Sequence, residues 1–343
     1  WTSVDTSSGT VCAINAGTAY CIGRNDESQF GLVGDTDNSS ELMLLETGEI
    51  PSQIATGNTH TCFLQADNGV AHCVGDNAYG QVGDGTTTDR DAWRTVDGDH
   101  RFTSLTAGLF FTCGIAAPTT TPSSNAGKAL CWGRNAYGQL GDGVGSGINS
   151  STPVLASADL TFKSLRASEE HVCGVTTSGQ LWCWGSTADG TEITAPHRIG
   201  TASNWSGVAV RSTGTCAYTV KTRLLPSATS CWGDRQTVGN GTPVYANTPK
   251  KLPGSGWLDV AAGGSSRCSR RWPRPEPPSS TASGPNSVRS PTAEPPPTAK
   301  SPPRSEIQAP LAPLAAPTPP TRSASSCPAI ASSAPTAHSP ASP

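Results

Sequence analysis

Apolar positions recur along the chain in short runs separated by turn residues, and no stretch sustains a 3.6-residue period over helical length. Residues 61–65 (Thr-Cys-Phe-Leu-Gln) and 70–74 (Val-Ala-His-Cys-Val) flank Ala-Asp-Asn-Gly; residues 172–176 and 180–184 flank Thr-Ser-Gly. Short β-rich runs around a Gly-containing turn predict hairpins. The hairpins repeat. Their first cysteines, Cys12, Cys62, Cys113, Cys173, Cys216 and Cys268, follow one another at intervals of 50, 51, 60, 43 and 52 residues. Eleven residues upstream stand Trp1, Pro51, Phe102, Phe162, Trp205 and Trp257; eight upstream stand Val4, Ile54, Leu105, Leu165, Val208 and Val260. Repeats of about 50 residues with several strands each predict an all-β fold, a β-propeller with one four-stranded antiparallel blade per repeat.

The fullest copy is residues 131–143, Cys-Trp-Gly-Arg-Asn-Ala-Tyr-Gly-Gln-Leu-Gly-Asp-Gly, and residues 73–85 nearly match it. Its glycines, Gly80, Gly83 and Gly85 in one copy and Gly138, Gly141 and Gly143 in the other, suit positive φ and close chain approach where blades meet. Asp84 and Asp142 read as turn formers that bond their own backbone, with a metal or catalytic role the lesser alternative. Trp132, Trp184 and Trp232 follow the second cysteine, where Ile22 and Val74 stand in the first two copies; they read as blade core rather than a stacking platform. Gly133, Gly185 and Gly233 come next in each case. His60 and His171 share a repeat place that elsewhere holds Thr10, Phe111, Gly214 and Ser266, which points to packing or a hydrogen bond rather than catalysis.

Each of five repeats carries a second cysteine: Cys21, Cys73, Cys131, Cys183 and Cys231. Facing positions on antiparallel strands lie about 4.5–5.5 Å apart, within disulfide reach. The reading is one bridge inside each blade: Cys12–Cys21, Cys62–Cys73, Cys113–Cys131, Cys173–Cys183 and Cys216–Cys231. Reduced thiols and a metal site are the alternatives, and no Cys-x-x-Cys spacing favours zinc. Persistent bridges imply an oxidising compartment.

Composition changes this picture at the C-terminal end. Residues 269–343 hold 20 of the 29 prolines and carry seven Lys and Arg against three Asp and Glu, whereas residues 1–268 carry 16 against 23. The domain reading is therefore a repeat body at 1–268, with repeats at about 1–50, 51–100, 101–160, 161–203, 204–255 and a partial one at 256–268, then a disordered Pro/Ser/Ala-rich tail at 269–343. That tail is either a true proline-rich stalk or a misread frame, and on either reading Cys268 lacks its repeat partner, with Cys327 a distant one. An acidic body argues against a nucleic-acid partner. No apolar run of 18 residues exists, so no membrane segment is expected within this chain. It opens on Trp1 and has a single Met, Met43, as a mature product or a fragment would.

Gly-x-x-His-Thr-Cys at 57–62, Cys-Trp-Gly-x-Asn at 131–135 and Tyr-Gly-Gln-Leu-Gly-Asp-Gly at 137–143 resemble the repeat of the regulator of chromosome condensation family. The likeness covers 1–268; repeat one departs at 28–34 and repeat five at 239–242. It implies a seven-bladed propeller, of which this chain would hold five full blades and a stub. The paired cysteines resemble the secreted and receptor-ectodomain members. No Gly-x-Ser-x-Gly elbow, His-Glu-x-x-His, P-loop, dinucleotide fingerprint or sialidase-type Asp box occurs, so no catalytic, cofactor or metal residue is assigned. The expected function is a non-enzymatic, secreted or cell-surface module that binds a protein partner through propeller-face loops, with inserts at 36–49, 117–128, 145–152 and 187–197 as candidate surfaces. The alternatives are a guanine-nucleotide exchange factor with chromatin association, the ectodomain of a crinkly-type receptor kinase, and a propeller enzyme with paired carboxylates. Sequons at Asn38, Asn149 and Asn204 lend weak support to secretion, and the one at Asn240 is discounted because Pro243 follows it.

Overall fold

The computed structural model describes residues 1–118, 125–186, 191–212, 214–219, 227–233 and 246–253. The partial repeat at 256–268, the tail at 269–343, residues 239–242 and the sequon at Asn240 lie outside the described residues. Among the described residues every regular element is a strand. Blade one comprises β1 (Ser3–Thr6), β2 (Thr10–Asn15), β3 (Thr18–Gly23) and β4 (Ser39–Leu44). Blade two comprises β5 (Pro51–Thr56), β6 (His60–Gln65), β7 (Ala71–Gly75) and β8 (Arg90–Thr95). Blade three comprises β9 (Phe102–Ala107), β10 (Phe111–Ala116), β11 (Ala129–Gly133) and β12 (Ser150–Leu155). Blade four comprises β13 (Phe162–Ala167), β14 (His171–Thr176), β15 (Leu181–Ser186) and β16 (Glu192–Arg198). Blade five comprises β17 (Gly207–Arg211), β18 (Gly214–Thr219), β19 (Ala228–Gly233) and β20 (Ala246–Lys251). Each is a four-stranded antiparallel meander in chain order.

One register runs through all five sheets. The two cysteines of each repeat face one another on the second and third strands. Each pair is bonded across a Cα–Cα distance of 4.1 Å, and all ten cysteines are buried. The third and fourth strands slip register between that cysteine and the glycine two residues on. The glycine explains the bulge: Gly23, Gly75, Gly133, Gly185 and Gly233 all have φ between 95° and 121°. A Cβ on Gly133 would lie 2.6 Å from the Phe110 carbonyl oxygen of its own blade, so no other residue fits.

The core lies between blades. One apolar cluster joins Ile54 of blade two to Cys12, Ile14 and Phe30 of blade one; others join blade three to two and four to three, and a further one joins five to four. Middle strands β10 and β14 are buried at every position, so they read as continuous runs rather than alternating ones. Each repeat therefore buries its face against the next, the nearest-neighbour logic of repeat proteins.

The tryptophans after the second cysteine are the wedges of these interfaces. Trp132, 0 % exposed, reaches back to blade two, where its Nε1–H donates to the Gln81 carbonyl at 3.0 Å. Trp184 does the same to Gln139 of blade three at 2.9 Å. Gly83 and Gly141 make room: a Cβ on either would fall 2.6 or 2.7 Å from the indole nitrogen. Blade two has Val74 at this place, and Trp93 of β8 fills the gap from another strand, set against Gly31 of blade one in the same way. Over residues 28–31 the departure is thus a change of residues, not of geometry, whereas the positive φ of Gly85 and Gly143 comes one residue later here, at Gly34. Ser28 takes φ +58° where Gly80 and Gly138 take +84° and +78°, and Gly31 stands where Gly83 and Gly141 stand.

Inner strands meet by side chain rather than by ladder. The Asp5 carboxylate accepts from the Thr56 N–H at 2.7 Å, and Ser3 Oγ accepts from the Ile54 N–H at 3.3 Å. Gln53 binds both the N–H and the carbonyl of Leu105, and Thr106 Oγ1 accepts from the Ala167 N–H at 2.8 Å. These contacts satisfy edge groups that would otherwise lie unpaired where two sheets abut.

Candidate interaction face

In every blade the link between first and second strands and the link between third and fourth lie at one end of the sheet, because the strands form a meander. In blades one to three the third-to-fourth links are built on a buried asparagine. Asn77 Oδ1 accepts from the Val82 N–H at 2.9 Å, its Nδ2 donates to the Thr86 and Thr88 carbonyls, and its own N–H donates to Asp89 Oδ1 at 2.8 Å. Asn135 makes the same bonds to Leu140, Gly145 and Asn149, and Asn25 to Phe30, Asp35 and Asn38. Gln81 and Gln139, also buried, accept from the N–H two residues back, of Tyr79 and Tyr137. Loops tied at so many points are rigid mounts for what they present.

The link of one blade also grips the outer strand of the next. Gly85 and Gly143 donate to the Ser151 and Thr194 carbonyls at 3.0 and 2.8 Å, and Gly80 and Gly138 press on the same residues. Asp142 Oδ1 caps the Val144 N–H. Asp84 caps Thr86 likewise and is further paired with Arg90 at 2.6 Å. Burial opposes its charge, but the bonds from Thr86 and Arg90 win and hold its carboxyl below the usual range.

On this scaffold sits an aromatic cluster around one cation. Arg134 Cζ lies 5.5 Å from the Tyr79 ring centroid, 5.8 Å from that of Phe110 and 5.5 Å from that of Tyr137. Tyr79 and Phe110 are themselves 5.5 Å apart, and Arg134 Nη1 is 3.6 Å from Glu170 Oε1. All five are half-buried. Desolvation, with Glu169 adding to it and Arg134 opposing, pushes the Glu170 carboxyl up. Glu169 is held by Ser212 Oγ at 2.6 Å. Aromatic rings and an arginine fixed in place are the residue types that carry binding energy in protein interfaces. Sequence reasoning treated Tyr79, Arg134 and Tyr137 as mere parts of a structural motif. The signal that could have separated them is that neither ring has a backbone role: the asparagine and glutamine hold the turn without it.

The cysteines and tryptophans named from sequence lie buried beneath this face, and the loop glycines, with Gly85 and Gly143 exposed, shape it. His60 and His171 are buried at blade junctions, each with Nε2 on a threonine hydroxyl of the next blade, Thr112 at 2.9 Å and Thr215 at 3.1 Å. Burial lowers their pKa to about 3 and about 4. Among the described residues no three His, Cys, Asp or Glu side chains gather as metal ligands would, and no helix is long and apolar enough to cross a membrane. The four inserts do not share one end: residues 119–124 of the insert at 117–128 lie outside the described residues, and its described ends adjoin the second and third strands, at the opposite end from 145–152. Residues 39–44 of the insert at 36–49 form the outer strand β4, and residues 192–197 of the insert at 187–197 belong to β16; residues 187–190 lie outside the described residues. The sequon residues Asn38, Asn149 and Asn204 are exposed.

Two profiles described as the regulator of chromosome condensation (RCC1) repeat match residues 126–175 and 162–191. The chain carries RCC1 repeats. The matched span runs from β11 to β15, and the register found there recurs in all five sheets. The ultraviolet-B receptor UVR8 of Arabidopsis thaliana is 27% identical over 140 residues, covering 40% of this chain and 30% of the receptor. The chain thus spans about a third of the length of that curated relative. Among solved structures, human WBSCR16 superposes with a TM-score of 0.62 at 18% identity, covering 73% of this chain and 67% of that one. Prp20p of Saccharomyces cerevisiae gives 0.62 at 18%, covering 76% and 66%. These likenesses establish the RCC1-type β-propeller fold.

Proposed function

We propose that this RCC1-repeat chain is a protein-binding module of the cell exterior that docks its partner on the face built around Arg134. The observation that carries the reading is the Tyr79–Phe110–Arg134–Tyr137 cluster, held on rigid loops and flanked by Glu169 and Glu170. The five intrablade disulfides support an oxidising location. Prp20p is a protein with binding properties to Gsp1p and histones, and protein binding by this chain is in keeping with that example. Nucleotide exchange in a reducing compartment is the weaker reading, because each bridge would be open there.

The test is cross-linking capture from an extracellular extract with the parent chain, with Phe110→Ala/Tyr137→Ala, and with Asp67→Ser on the opposite end. The expected result is a saturable partner retained by the parent and by Asp67→Ser, and weakened at least ~30-fold by the double variant, the loss of about 2 kcal/mol that marks a hot spot. Equal capture by all three would sink the assignment of the face. Acceleration of GDP release from a Ran-type GTPase would sink the functional reading itself.

A further inference from the structure

The inner strands of the five blades border a cleft of about 430 Å³, lined among others by Asp5, Thr106, Ser164, Arg166, Val208 and Val210. Two of these side chains stand at places where blades one to three each send at least one bridge to the next blade. At two places on the inner strand, side chains bridge to the next blade: Ser3 and Gln53 at the first, Asp5 and Thr106 at the second. Ser164 and Arg166 occupy those same two places in blade four. Neither bridges to blade five among the described residues. Ser164 Oγ is shut off from bulk water with no hydrogen-bond partner. Arg166 has five N–H donors and spends one, on the Leu165 carbonyl at 3.0 Å.

The opposite charge in the cleft is Asp5. Thr56 binds Oδ2 of that carboxylate through its N–H at 2.7 Å and its hydroxyl at 3.3 Å, and the Thr6 N–H adds a further bond, which leaves part of the roughly four acceptor positions for another donor. Burial pushes the Asp5 carboxyl up from its ordinary value, against the bonds from Thr56 and Thr6 and the Arg166 charge, and Asp5 and Arg166 form no ion pair. A guanidinium and a carboxylate facing one cavity without touching leave room for a molecule that answers both. Arg166 with Ser164 offers donors to an anion, and Asp5 offers an acceptor to an ammonium or a hydroxyl. A phosphate dianion would set two charges against a single guanidinium beside a carboxylate, which disfavours it.

We infer that this cleft binds a small carboxylate that also carries a hydrogen-bond donor, an amino acid or a hydroxy acid, with its carboxylate on Arg166 and Ser164 and its donor on Asp5. The site is separate from the Arg134 face, so loss of partner docking would leave it untouched. Titration calorimetry of the full chain with L-alanine, L-lactate, L-alaninamide and inorganic phosphate tests it. Alanine and lactate are expected to bind saturably, with alaninamide and phosphate at least ~10-fold weaker. Arg166→Gln should weaken both acids at least ~10-fold. Asp5→Asn, which still accepts from Thr56, should weaken alanine ~10-fold and lactate less than ~3-fold. Alaninamide or phosphate matching the acids, Arg166→Gln binding both acids as the parent does, or no saturable binding of either acid up to ~10 mM, past the range of a millimolar site, would overturn the inference. The ligand panel on the parent chain decides the charge requirement even if a variant fails to fold.

Discussion

Gly83 and Trp132 should be coupled in stability although they lie in different blades. Gly83→Ala places a side chain at φ +79°, which costs an L-residue about 1–2 kcal/mol. Its Cβ would also sit 2.6 Å from Trp132 Nε1 and 2.8 Å from Cδ1. The indole cannot retreat, since it is fully buried and tied to the Gln81 carbonyl. Overpacking of that kind adds about 1–3 kcal/mol, for a total of about 2–5. Trp132→Val, which copies Val74 of blade two, should cost about 3 kcal/mol by itself, near the low end for truncating a buried aromatic. In the valine background the alanine meets open space, and only the φ cost remains. The double variant should therefore fall short of the sum of the singles by about 1–3 kcal/mol. Gly143→Ala is the internal control: it has φ +74° but nothing within 4 Å, so it should cost only the φ strain. Urea unfolding of the oxidised protein, followed by far-ultraviolet circular dichroism, measures all five. Additivity within about 0.5 kcal/mol, or equal costs for Gly83→Ala and Gly143→Ala, would refute the wedge geometry.

Acid should destabilise the fold through the junction histidines. Burial holds His171 at about 4 against an ordinary 6.5, so the unfolded chain binds the proton first; this contribution is complete above pH 6.5 and drains away as pH falls towards 4. His171→Phe, the residue type of Phe111, should flatten the pH 7-to-4 limb by about 3 kcal/mol in chemical unfolding, and an unchanged limb would refute it. Peptide mass spectrometry without reductant should find the five intrablade pairs, and Cys173→Ser/Cys183→Ser should lower stability by about 2–5 kcal/mol. Free thiols in protein from its native source would remove both the bridges and the extracellular location. Ser28→Gly should leave stability equal or raise it by up to about 1 kcal/mol, since the strain relieved at φ +58° is offset by backbone entropy; a loss above about 1 kcal/mol would contradict the shared loop geometry.

The hairpins were legible because apolar residue, cysteine and glycine recur in fixed register, and each is needed within about 20 residues of the others. What escaped the sequence is what joins one repeat to the next. Trp132 reads as blade core from its neighbours, but its glycine and its carbonyl partner lie 50 residues upstream. Trp93 gave no signal at all, because it replaces a missing tryptophan from a different strand. Ser28 hid the first loop, since a serine in left-handed backbone is not something spacing announces. Asn25, Asn77 and Asn135 recur in the text of the chain, yet their role depends on carbonyls brought round by the loop. The Arg134 cluster draws residues from two blades and three loops, so only the assembled fold brings it together. The same holds for Asp5 and Arg166.

Each blade meets its successor through the same two sets of contacts. The glutamine carbonyl and glycine of one blade receive the tryptophan of the blade after it, and the inner-strand side chains of one blade reach for the backbone of its successor. Each receiving surface is encoded before the element that docks on it. During synthesis the ribosome thus releases a finished berth, held shut by its own hairpin bridge, about 50 residues ahead of its occupant. A new blade can bury its docking face on sequence already made, while its own berth waits for the next repeat, and the order in which the repeats are joined is written into which side chains they spend.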